Sequence, residues 1–462
     1  MIQINSNIFP KVQGAYMVGG SIRDLLLGKS PIDYDIAVME DPKKYAQQLA
    51  ANMSGHLVEL GKPDQTLIRV VSESHHVDIS RINGASIEED LHNRDFTINA
   101  MAYELSSGKL IDCFGSQRDL ANKIIRLVSH NAFENDPLRL LRAYRIGACL
   151  NFAIAPKTLS AIQRHADLIR NSAGERIREE LLKMLSTSIS HRFLSQMAES
   201  KLLFKIFPEL LNLKKYRFYD SRQPNAFAHT LDAYGHLENM LTDLNQFLPK
   251  SLTPHYQHLD DTLNILLKCC ILFHDIGRPR IDAPDKNGTH RFYGHEKKSA
   301  DMAKDICKRY KYSTRHTNYI HFIVQHHAQP YSLFAADQNK TLAPKDLTRF
   351  FMECTDRTPD LMLHAIAEMK SKNGSCTTES QAFLDFAAHI LQDDFAVFKS
   401  KSSTPPLING HDLIQAFGLK PSPLFKAILH FIEEERLSGK KMTRADALRL
   451  AKKYLKNHRL TK

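Results

Sequence analysis

The chain has no apolar run long enough to cross a membrane. A bilayer-spanning helix needs roughly 18 consecutive apolar residues, and no segment of the sequence provides them. The first residues also lack the charged and then apolar pattern of a signal peptide, so we expect neither secretion nor a membrane partner. The seven cysteines lack paired spacing, which predicts reduced thiols in a cytoplasmic protein.

What the chain does have is length and positive charge. Its 462 residues are too many for one core and suggest about three domains. Lysine and arginine total 62 against 51 acidic residues, a formal net charge of +11. This balance favours a polyanionic partner such as a nucleic acid.

The hydrophobic pattern changes once along the chain. Short apolar strands and one helix, Pro42–Met53, alternate as far as residue 128, and helical periods dominate from Pro137 onward. Polar stretches at residues 220–225 and 399–406 read as linkers. The sequence therefore predicts an α+β multidomain protein. Its parts are a small mixed α/β head (1–128), an all-helical neck (129–190), a helical body (191–398) and a basic helical tail (399–462).

Residues 19–35 are the most informative stretch of the sequence. Gly19 and Gly20 follow an apolar strand and permit close backbone approach, so their turn can present N–H groups to a phosphate. Asp33 and Asp35 lie one residue apart on the next predicted strand, so their carboxylates share a face and can hold Mg²⁺. A phosphate-binding turn followed by two metal-binding carboxylates predicts nucleotidyl transfer.

Further polar side chains support the same chemistry. Ser21 offers a hydroxyl, and Arg23 can bind phosphate oxygens in bidentate fashion. Arg94 lies in the mostly apolar stretch 93–102, which predicts a buried helix. A buried arginine needs a partner, and either a structural ion pair or a triphosphate would supply one.

A third motif covers residues 135–145. Asp136 and Pro137 suit the start of a helix, and three arginines at spacings of three share one flank of it: Arg139, Arg142 and Arg145. Two interpretations are open at this point. The flank is either a solvated basic face, or a surface on which Asp136 and Arg139 read a base edge while the other two arginines meet phosphates.

These motifs, with residues 111–115 and 175–180, occur in the order of the class II tRNA nucleotidyltransferases. This family comprises the CCA-adding enzymes and the bacterial poly(A) polymerases, and the resemblance covers residues 12–190. It implies a polymerase-β-like head that adds C and/or A nucleotides, without a nucleic-acid template, to the 3′ end of tRNA or another RNA. CTP and ATP would be the substrates, Mg²⁺ the cofactor and pyrophosphate the by-product. A-adding, CC-adding and poly(A)-forming relatives are the alternatives.

The resemblance also implies residue roles. Asp33 and Asp35 would bind Mg²⁺ and carry catalysis, and Asp136 and Arg139 would hydrogen-bond the base. The implied nucleotide-binding set is Gly20, Ser21, Arg23, Arg94, Asp136, Arg139, Arg142 and Arg145. Residues 61–69 would belong to a segment that helps to switch specificity. Asn135 stands where the family usually has glutamate, a departure that concerns nucleotide selection.

The body is rich in histidines set among helix-like apolar residues. His274 and Asp275 are adjacent, and an imidazole with a carboxylate suits divalent metals. The pattern resembles the HD superfamily of phosphohydrolases, which implies His229, His274 and Asp275 as ligands of Mg²⁺ or a transition metal. His295 and His326 are possible additions, and Glu368 stands where the family usually has aspartate. An HD-type phosphohydrolase acting on nucleotide or RNA 3′ phosphates is therefore an alternative function from another class.

Overall fold

The computed structural model describes residues 8–31, 33–60, 67–73, 75–216, 223–281, 294–373, 377–439 and 441–457. The chain forms two compact units, Met1–Pro208 and Glu209–Lys462. The first contains a mixed sheet with helices, and the described part of the second is helical. The expected fold class is therefore confirmed. The finer division into head, neck, body and tail stays a prediction.

The described strands all belong to the first unit. They are β1 (Ala15–Val18), β2 (Asp33–Val38), β3 (His56–Leu60), β4 (Leu67–Val71), β5 (His76–Arg81), β6 (Met101–Glu104), β7 (Leu110–Asp112), β8 (Ile124–Ile125) and β9 (Ala153–Ile154). Seven of them form one sheet in the order β3-β4-β5-β2-β1-β6-β7, and β8 pairs with β9. Within the large sheet, β2 and β5 are parallel and the other pairs are antiparallel.

The helices of the first unit alternate with these strands along the chain and continue after β9. They are α1 (Gly20–Leu26), α2 (Pro42–Met53), α3 (Ile87–His92), α4 (Ser116–Ala121), α5 (Ala132–Asn135), α6 (Arg139–Leu150), α7 (Pro156–His165), α8 (Gly174–Leu185), α9 (Ser190–Glu199) and α10 (Leu202–Ile206). Helix α2 matches its predicted bounds because Asp41 caps it and Pro42 occupies its first turn.

Helices make up the described structure from α11 (Pro208–Lys215), which spans the boundary between the units, to the end. They are α12 (Ala226–Thr242), α13 (Leu244–Phe247), α14 (Asp261–Phe273), α15 (Arg278–Ile281), α16 (His295–Arg309), α17 (Thr314–His326), α18 (Gln329–Gln338), α19 (Pro344–Cys354), α20 (Thr358–Asn373), α21 (Thr378–His389), α22 (Phe395–Ser402), α23 (Gly410–Phe417), α24 (Pro423–Leu437) and α25 (Arg444–Asn457). Among the described residues, no helix combines the length and the apolar character needed to cross a bilayer.

Strand β2 explains where the sheet can bind a ligand. Its second half, Ile36 to Val38, is buried, whereas Asp33 and Asp35 at its start reach solvent. Successive side chains of a strand alternate between faces, so the two aspartates point to the same side. Strand β1 runs beside β2 with Val18 opposite Asp35, which brings the turn after β1 next to the carboxylates.

The predicted buried helix over residues 93–102 is wrong. The structure has a short 3₁₀ turn, Thr97–Asn99, followed directly by strand β6. Buried Met101 and Ala102 belong to this strand, which pairs with β1. A short apolar run suits a buried strand as well as a helix, and its pairing partner is distant in sequence.

The structure describes only part of the two predicted linkers. Residues 399–402 continue helix α22, so the linker at 399–406 begins later than expected. The hydroxyls of Ser402 and Ser403 donate to backbone carbonyls three residues earlier, at 3.1 and 2.7 Å, and support the helix end. Of the linker at 220–225, residues 220–222 lie outside the described part of the chain. The tail beyond residue 406 has its own apolar cluster, which includes Leu413, Ile428 and Leu455.

Candidate active site

The turn between β1 and α1 is locked onto the start of β2. Ser21 is buried, and its Oγ donates to the Asp33 carbonyl at 3.3 Å and accepts from the Asp35 N–H at 3.0 Å. These bonds hold Gly19 and Gly20 beside the two carboxylates. Ser21 therefore braces the turn, and a direct contact between its hydroxyl and a nucleotide stays a prediction.

Gly19 is the tightest point of this turn. Its φ of 72° and ψ of −138° lie in a region that only glycine adopts readily. A Cβ added there would lie 2.8 Å from Arg94 Nη1 and 3.2 Å from Asp35 Oδ2. The guanidinium and the carboxylate thus reach the backbone only because Gly19 has no side chain.

Gly19→Ala is therefore expected to impair nucleotide incorporation strongly and to cost about 1–3 kcal/mol of stability from backbone strain. The matched control is Gly28→Ala, because Gly28 also has positive φ (74°) but has no atom within 4 Å of an added Cβ. Steady-state incorporation kinetics and thermal melting of both variants would test this. Equal losses of activity in the two variants would contradict a specific role for the close approach at Gly19.

A chain of side chains joins the turn to helix α6. Arg23 Nη1 donates to Asn99 Oδ1 at 2.7 Å, and Asn99 Nδ2 donates to Asp95 Oδ1 at 3.0 Å. The other Asp95 oxygen lies 3.0 Å from Arg142 Nη2. Burial opposes the charge on Asp95, but Arg142, the Asn99 amide and the Phe96 N–H outweigh it and hold the pKa of Asp95 below its usual value. Asp95 therefore links Asn99, which lies just before strand β6, to Arg142 of helix α6.

Arg94 and Arg139 are also held by hydrogen bonds to neighbouring protein groups. Arg94 donates from Nε and Nη2 to Asp90 at 3.0 and 2.9 Å. A structural ion pair was one of the two predicted roles of Arg94, and the structure contains it. Arg139 donates to the backbone carbonyls of Asn93, Arg94 and Ala132 at 2.7, 3.4 and 3.3 Å. A guanidinium has five N–H donors, so Arg139 retains donor capacity for a further acceptor.

Asp136 is positioned from two directions. Its Oδ1 accepts from the Leu138 N–H at 3.2 Å, and its Oδ2 accepts from Arg176 Nη2 at 3.0 Å. Because each carboxylate oxygen has two lone pairs, Asp136 can accept a further hydrogen bond. Asn135, in place of the family's usual glutamate, is exposed at the end of α5. In this chain Arg176 of α8 braces Asp136.

One cavity of about 520 Å³ collects these groups, a size typical of ligand pockets. It contains all the predicted catalytic and nucleotide-binding residues, together with others that were not predicted. Its lining is Gly19, Gly20, Ser21, Arg23, Asp24, Asp33, Asp35, Arg94, Asp95, Asn99, Asp136, Arg139, Arg142, Arg145, Ile146 and Lys183. The arginines of α6 line this pocket, which favours the interpretation that they bind a ligand over the interpretation that they form a solvated basic face.

The two carboxylates of the pocket differ in environment. Asp33 is 81% exposed, and its Oδ1 lies 3.4 Å from His76 Nδ1. The surrounding protein partly desolvates Asp35 and so raises its pKa, while the Arg94 charge opposes the rise. Two carboxylates on one face of a strand supply the oxygen ligands that a divalent cation such as Mg²⁺ prefers.

A second cluster lies in the other unit and is almost completely buried. Two groups of three side chains have ligand atoms close enough to share a metal ion. They are His229 with His274 and Glu368, and Asp275 with His295 and His327. The predicted set His229, His274, Asp275 and Glu368 is thus brought together. The structure places His327 in the cluster, whereas neighbouring His326 lies 3.7 Å from Glu353.

The donor atoms of this cluster fit a metal. His274 and His327 each place Nδ1 2.7 Å from a backbone carbonyl oxygen, of Ile271 and Val324 respectively, which directs Nε2 into the cluster. His274 Nε2 and both carboxylate oxygens of Asp275 are buried and make no hydrogen bond within the described residues. Desolvation lowers the pKa of His327 to about 3, so its ring is the neutral form that binds metals.

The ring of His364 also packs against the cluster. His364 lies one turn before Glu368 on α20, and its ring centroid is 5.5 Å from that of His274. Neither ring nitrogen of His364 is hydrogen-bonded among the described residues. Glu368 Oε1 lies 2.5 Å from Lys372 Nζ, and this ammonium helps to hold the pKa of Glu368 well below its usual value despite burial.

Comparisons with known proteins match different families to the unit with the large pocket and to the unit with the histidine cluster. Family models match residues 15–126 (poly A polymerase head domain), 151–213 (probable RNA and SrmB-binding site of polymerase A) and 227–349 (HD domain). The multifunctional CCA protein of Nitrosococcus oceani is 30% identical over 305 residues, which is 64% of this chain and 69% of that protein. The chain belongs to the tRNA nucleotidyltransferase and poly(A) polymerase family.

Similarity to this family extends along almost the whole chain. The A-adding tRNA nucleotidyltransferase of Deinococcus radiodurans is 28% identical over 95% of both chains. The CC-adding enzyme of Thermus thermophilus is 27% identical over 93% of this chain and 92% of its own. The Thermotoga maritima CCA-adding enzyme, solved with tRNA, has the same fold, with a TM-score of 0.62, 21% identity and coverage of 96% and 91%. The predicted resemblance and the nucleotidyltransferase class are confirmed.

Some site residues of this family member were not predicted. Asp95 and Asn99 were visible only as polar exceptions in an apolar stretch, and their pairing spans four residues of an irregular segment. Arg176 lies in a motif that was noted without a role. Lys183 has no sequence signal beyond its residue type, and His327 is visible only as the neighbour of the predicted ligand His326. Residues 61–66 of the predicted specificity segment lie outside the described residues.

Proposed function

We propose that the protein adds C and/or A nucleotides of the CCA end to the 3′ end of tRNA, using CTP and ATP with Mg²⁺. The observation that carries this proposal is a cavity lined by Asp33 and Asp35 together with Asp136 and Arg139. The two β2 carboxylates suit metal-bound phosphates, whereas Asp136 and Arg139 offer an acceptor and donors for a base edge. A protein that selects its nucleotide with side chains needs no nucleic-acid template.

The side chains have separate tasks in this proposal. Asp33 and Asp35 would hold Mg²⁺, which would supply positive charge against the triphosphate and the departing pyrophosphate. Arg23 and Arg94 would bind phosphate oxygens, each held in place by an acidic neighbour, Asp24 or Asp90. Asp136 and Arg139 would hydrogen-bond the base edge, and Arg142 and Arg145 would meet phosphates on the same flank of α6.

Relatives with A-adding, CC-adding and CCA-adding activities support the substrate class and leave three product patterns to separate. The experiment uses tRNA transcripts that end before the CCA, after its first C and after its second C. Each is incubated with CTP, ATP or both, and products are resolved at single-nucleotide length. Extension of the shortest transcript to full CCA supports the full activity. Addition of only A or only CC supports the corresponding relative, and no incorporation on any transcript would refute nucleotidyl transfer to tRNA.

We infer a second function for the helical unit, a metal-dependent phosphohydrolase. The two buried groups of converging histidine and carboxylate ligand atoms carry this inference, because buried charged groups are normally paired or coordinate metals. Imidazole and carboxylate donors together suit transition metals such as Mn²⁺ or Ni²⁺ as well as Mg²⁺. Glu368 extends one methylene further than the aspartate usual in the family, so the metal preference is part of the question.

The test combines metal analysis with hydrolysis assays. We expect the purified protein to retain a transition metal and to hydrolyse nucleotide monophosphates or 2′,3′-cyclic phosphates. The variant His274→Ala/Asp275→Ala should lose both properties, whereas Asp33→Ala, altered in the other unit, should keep them. A wild-type protein that binds neither Mg²⁺, Mn²⁺ nor Ni²⁺ at this site and hydrolyses none of these substrates would refute the second function.

A further inference from the structure

Lys183 differs from the other cations that line the large pocket. It is exposed, lies near the end of α8, and the ion pairs of the described residues do not include its ammonium. The five pocket arginines are all engaged. Arg23 pairs with Asp24, Arg94 with Asp90, Arg142 with Asp95 and Arg145 with Glu180, and Arg139 donates to backbone carbonyls.

The register of α8 places Lys183 within the pocket. Arg176, Glu180 and Lys183 follow one another at helical spacings of four and three, so they share one face. Arg176 binds Asp136 at one end of this face, and Glu180 accepts from Arg145 Nε at 2.8 Å one turn before Lys183. Seven residues of helix correspond to about 10 Å, so Lys183 lies well away from the base-reading end marked by Asp136.

A further contact holds this part of α8 against α6. Cys149 Sγ of α6 lies 3.7 Å from the Lys183 carbonyl oxygen. Ile146 of α6 lines the same pocket as Lys183. The backbone at Lys183 is therefore held, while its side chain has four rotatable carbons and three N–H donors. The flexible ammonium of a lysine can follow a phosphate group that moves. The guanidinium groups of the paired arginines, in contrast, present their N–H donors in a fixed geometry.

We propose that Lys183 binds the terminal phosphates of the incoming nucleoside triphosphate, at the end of the pocket opposite the base. This inference rests on the proposed nucleotidyl transfer. Lys183 then contacts the triphosphate of CTP and of ATP alike and takes no part in choosing the base. The backbone phosphates of a bound RNA share the same chemistry, and the experiment separates the two sources.

The experiment measures equilibrium binding of CTP, ATP, CMP, AMP and tRNA to the full chain, without catalysis. Lys183→Ala is expected to weaken CTP and ATP binding about tenfold, the loss of one charge-assisted contact, and to leave CMP, AMP and tRNA binding unchanged. Lys183→Arg should restore most of the affinity. Lys157→Ala is the matched control, because Lys157 is also exposed on a helix of the same unit but lies outside the pocket. Incorporation by Lys183→Ala should show a raised KM for both nucleotides and an unchanged ratio of C to A.

Two outcomes would overturn the inference. One is unchanged triphosphate affinity in Lys183→Ala, and the other is a loss confined to tRNA binding, which would assign Lys183 to the RNA. Failure of the proposed function itself is distinguishable. A wild-type chain that prefers triphosphates to monophosphates through Lys183 but incorporates nothing would refute nucleotidyl transfer and leave the phosphate contact standing.

Discussion

Asp33→Ala is expected to lower the rate of nucleotide incorporation by about 10³-fold, because a bound metal supplies several kcal/mol and each 1.36 kcal/mol corresponds to tenfold. The side chain is 81% exposed, so its removal should leave the fold intact. Affinity for tRNA should persist, because an acidic group that holds a cation does not itself attract a polyanion. The measurements are single-turnover incorporation, thermal melting and tRNA binding.

Glu40→Ala provides the matched control for this prediction. Glu40 is an exposed acid just beyond the other end of β2 and lies outside the large pocket, so incorporation by this variant should equal that of the wild type. Incorporation retained at the wild-type rate in Asp33→Ala would contradict the assignment of the metal site to β2. A parallel loss in Glu40→Ala would indicate a general effect of charge on this strand.

Asp95→Ala is expected to have the second-largest effect, on stability as well as on activity. Removing one partner of a buried ion pair leaves the other uncompensated and typically costs 3–5 kcal/mol. We expect about 3 kcal/mol, the lower end of that range, because Arg142 is 34% exposed and can turn towards water. Incorporation should also fall, since Asn99 and Arg142 lose the carboxylate that positions them.

The pH dependence of the free energy of unfolding tests whether the stability lost in Asp95→Ala comes from the charge of the carboxylate. The pKa of Asp95 is lowered in the folded protein, so its stabilising effect is complete above the unfolded value of about 3.9 and is lost as the pH falls through the folded value. Urea unfolding should therefore show a large difference between wild type and Asp95→Ala at neutral pH, and a smaller one in strong acid. A difference that does not shrink in acid would point to lost packing and would count against the ion pair.

The sequence predicted the strand that carries Asp33 and Asp35 because its signals are local. The glycine turn and the alternating aspartates lie within residues 19–35, and the resemblance to a known family supplied the expected roles of Arg94 and Asp136. The segment 93–102 was predicted wrongly as a helix for the opposite reason. Its strand pairs with β1, and Asn99 accepts a hydrogen bond from Arg23, and neither partner lies nearby in the sequence.

In the histidine-rich unit, too, the sequence predicted the type of site and missed one of its ligands. His274 and Asp275 are adjacent in the sequence and could be recognised as a pair. The choice between His326 and His327 depended on where α17 ends, since His327 lies just beyond its last residue and turns into the cluster. A shift of one residue rotates a side chain by about 100° around a helix, so small errors of phase change the predicted ligand.

The sequence by itself determined the α/β head, the long helical remainder, and the types of group that could handle phosphates and metals. Spacing within one strand or one helix turn was enough for that, because local geometry is nearly constant. Only the tertiary structure decided that Arg23, Asp95 and Arg142 form one connected chain, that Arg176 braces Asp136, and that Lys183 shares their pocket. The Arg23–Asn99, Asp95–Arg142 and Asp136–Arg176 contacts join residues that are 40 or more positions apart, and no local pattern encodes where such partners meet.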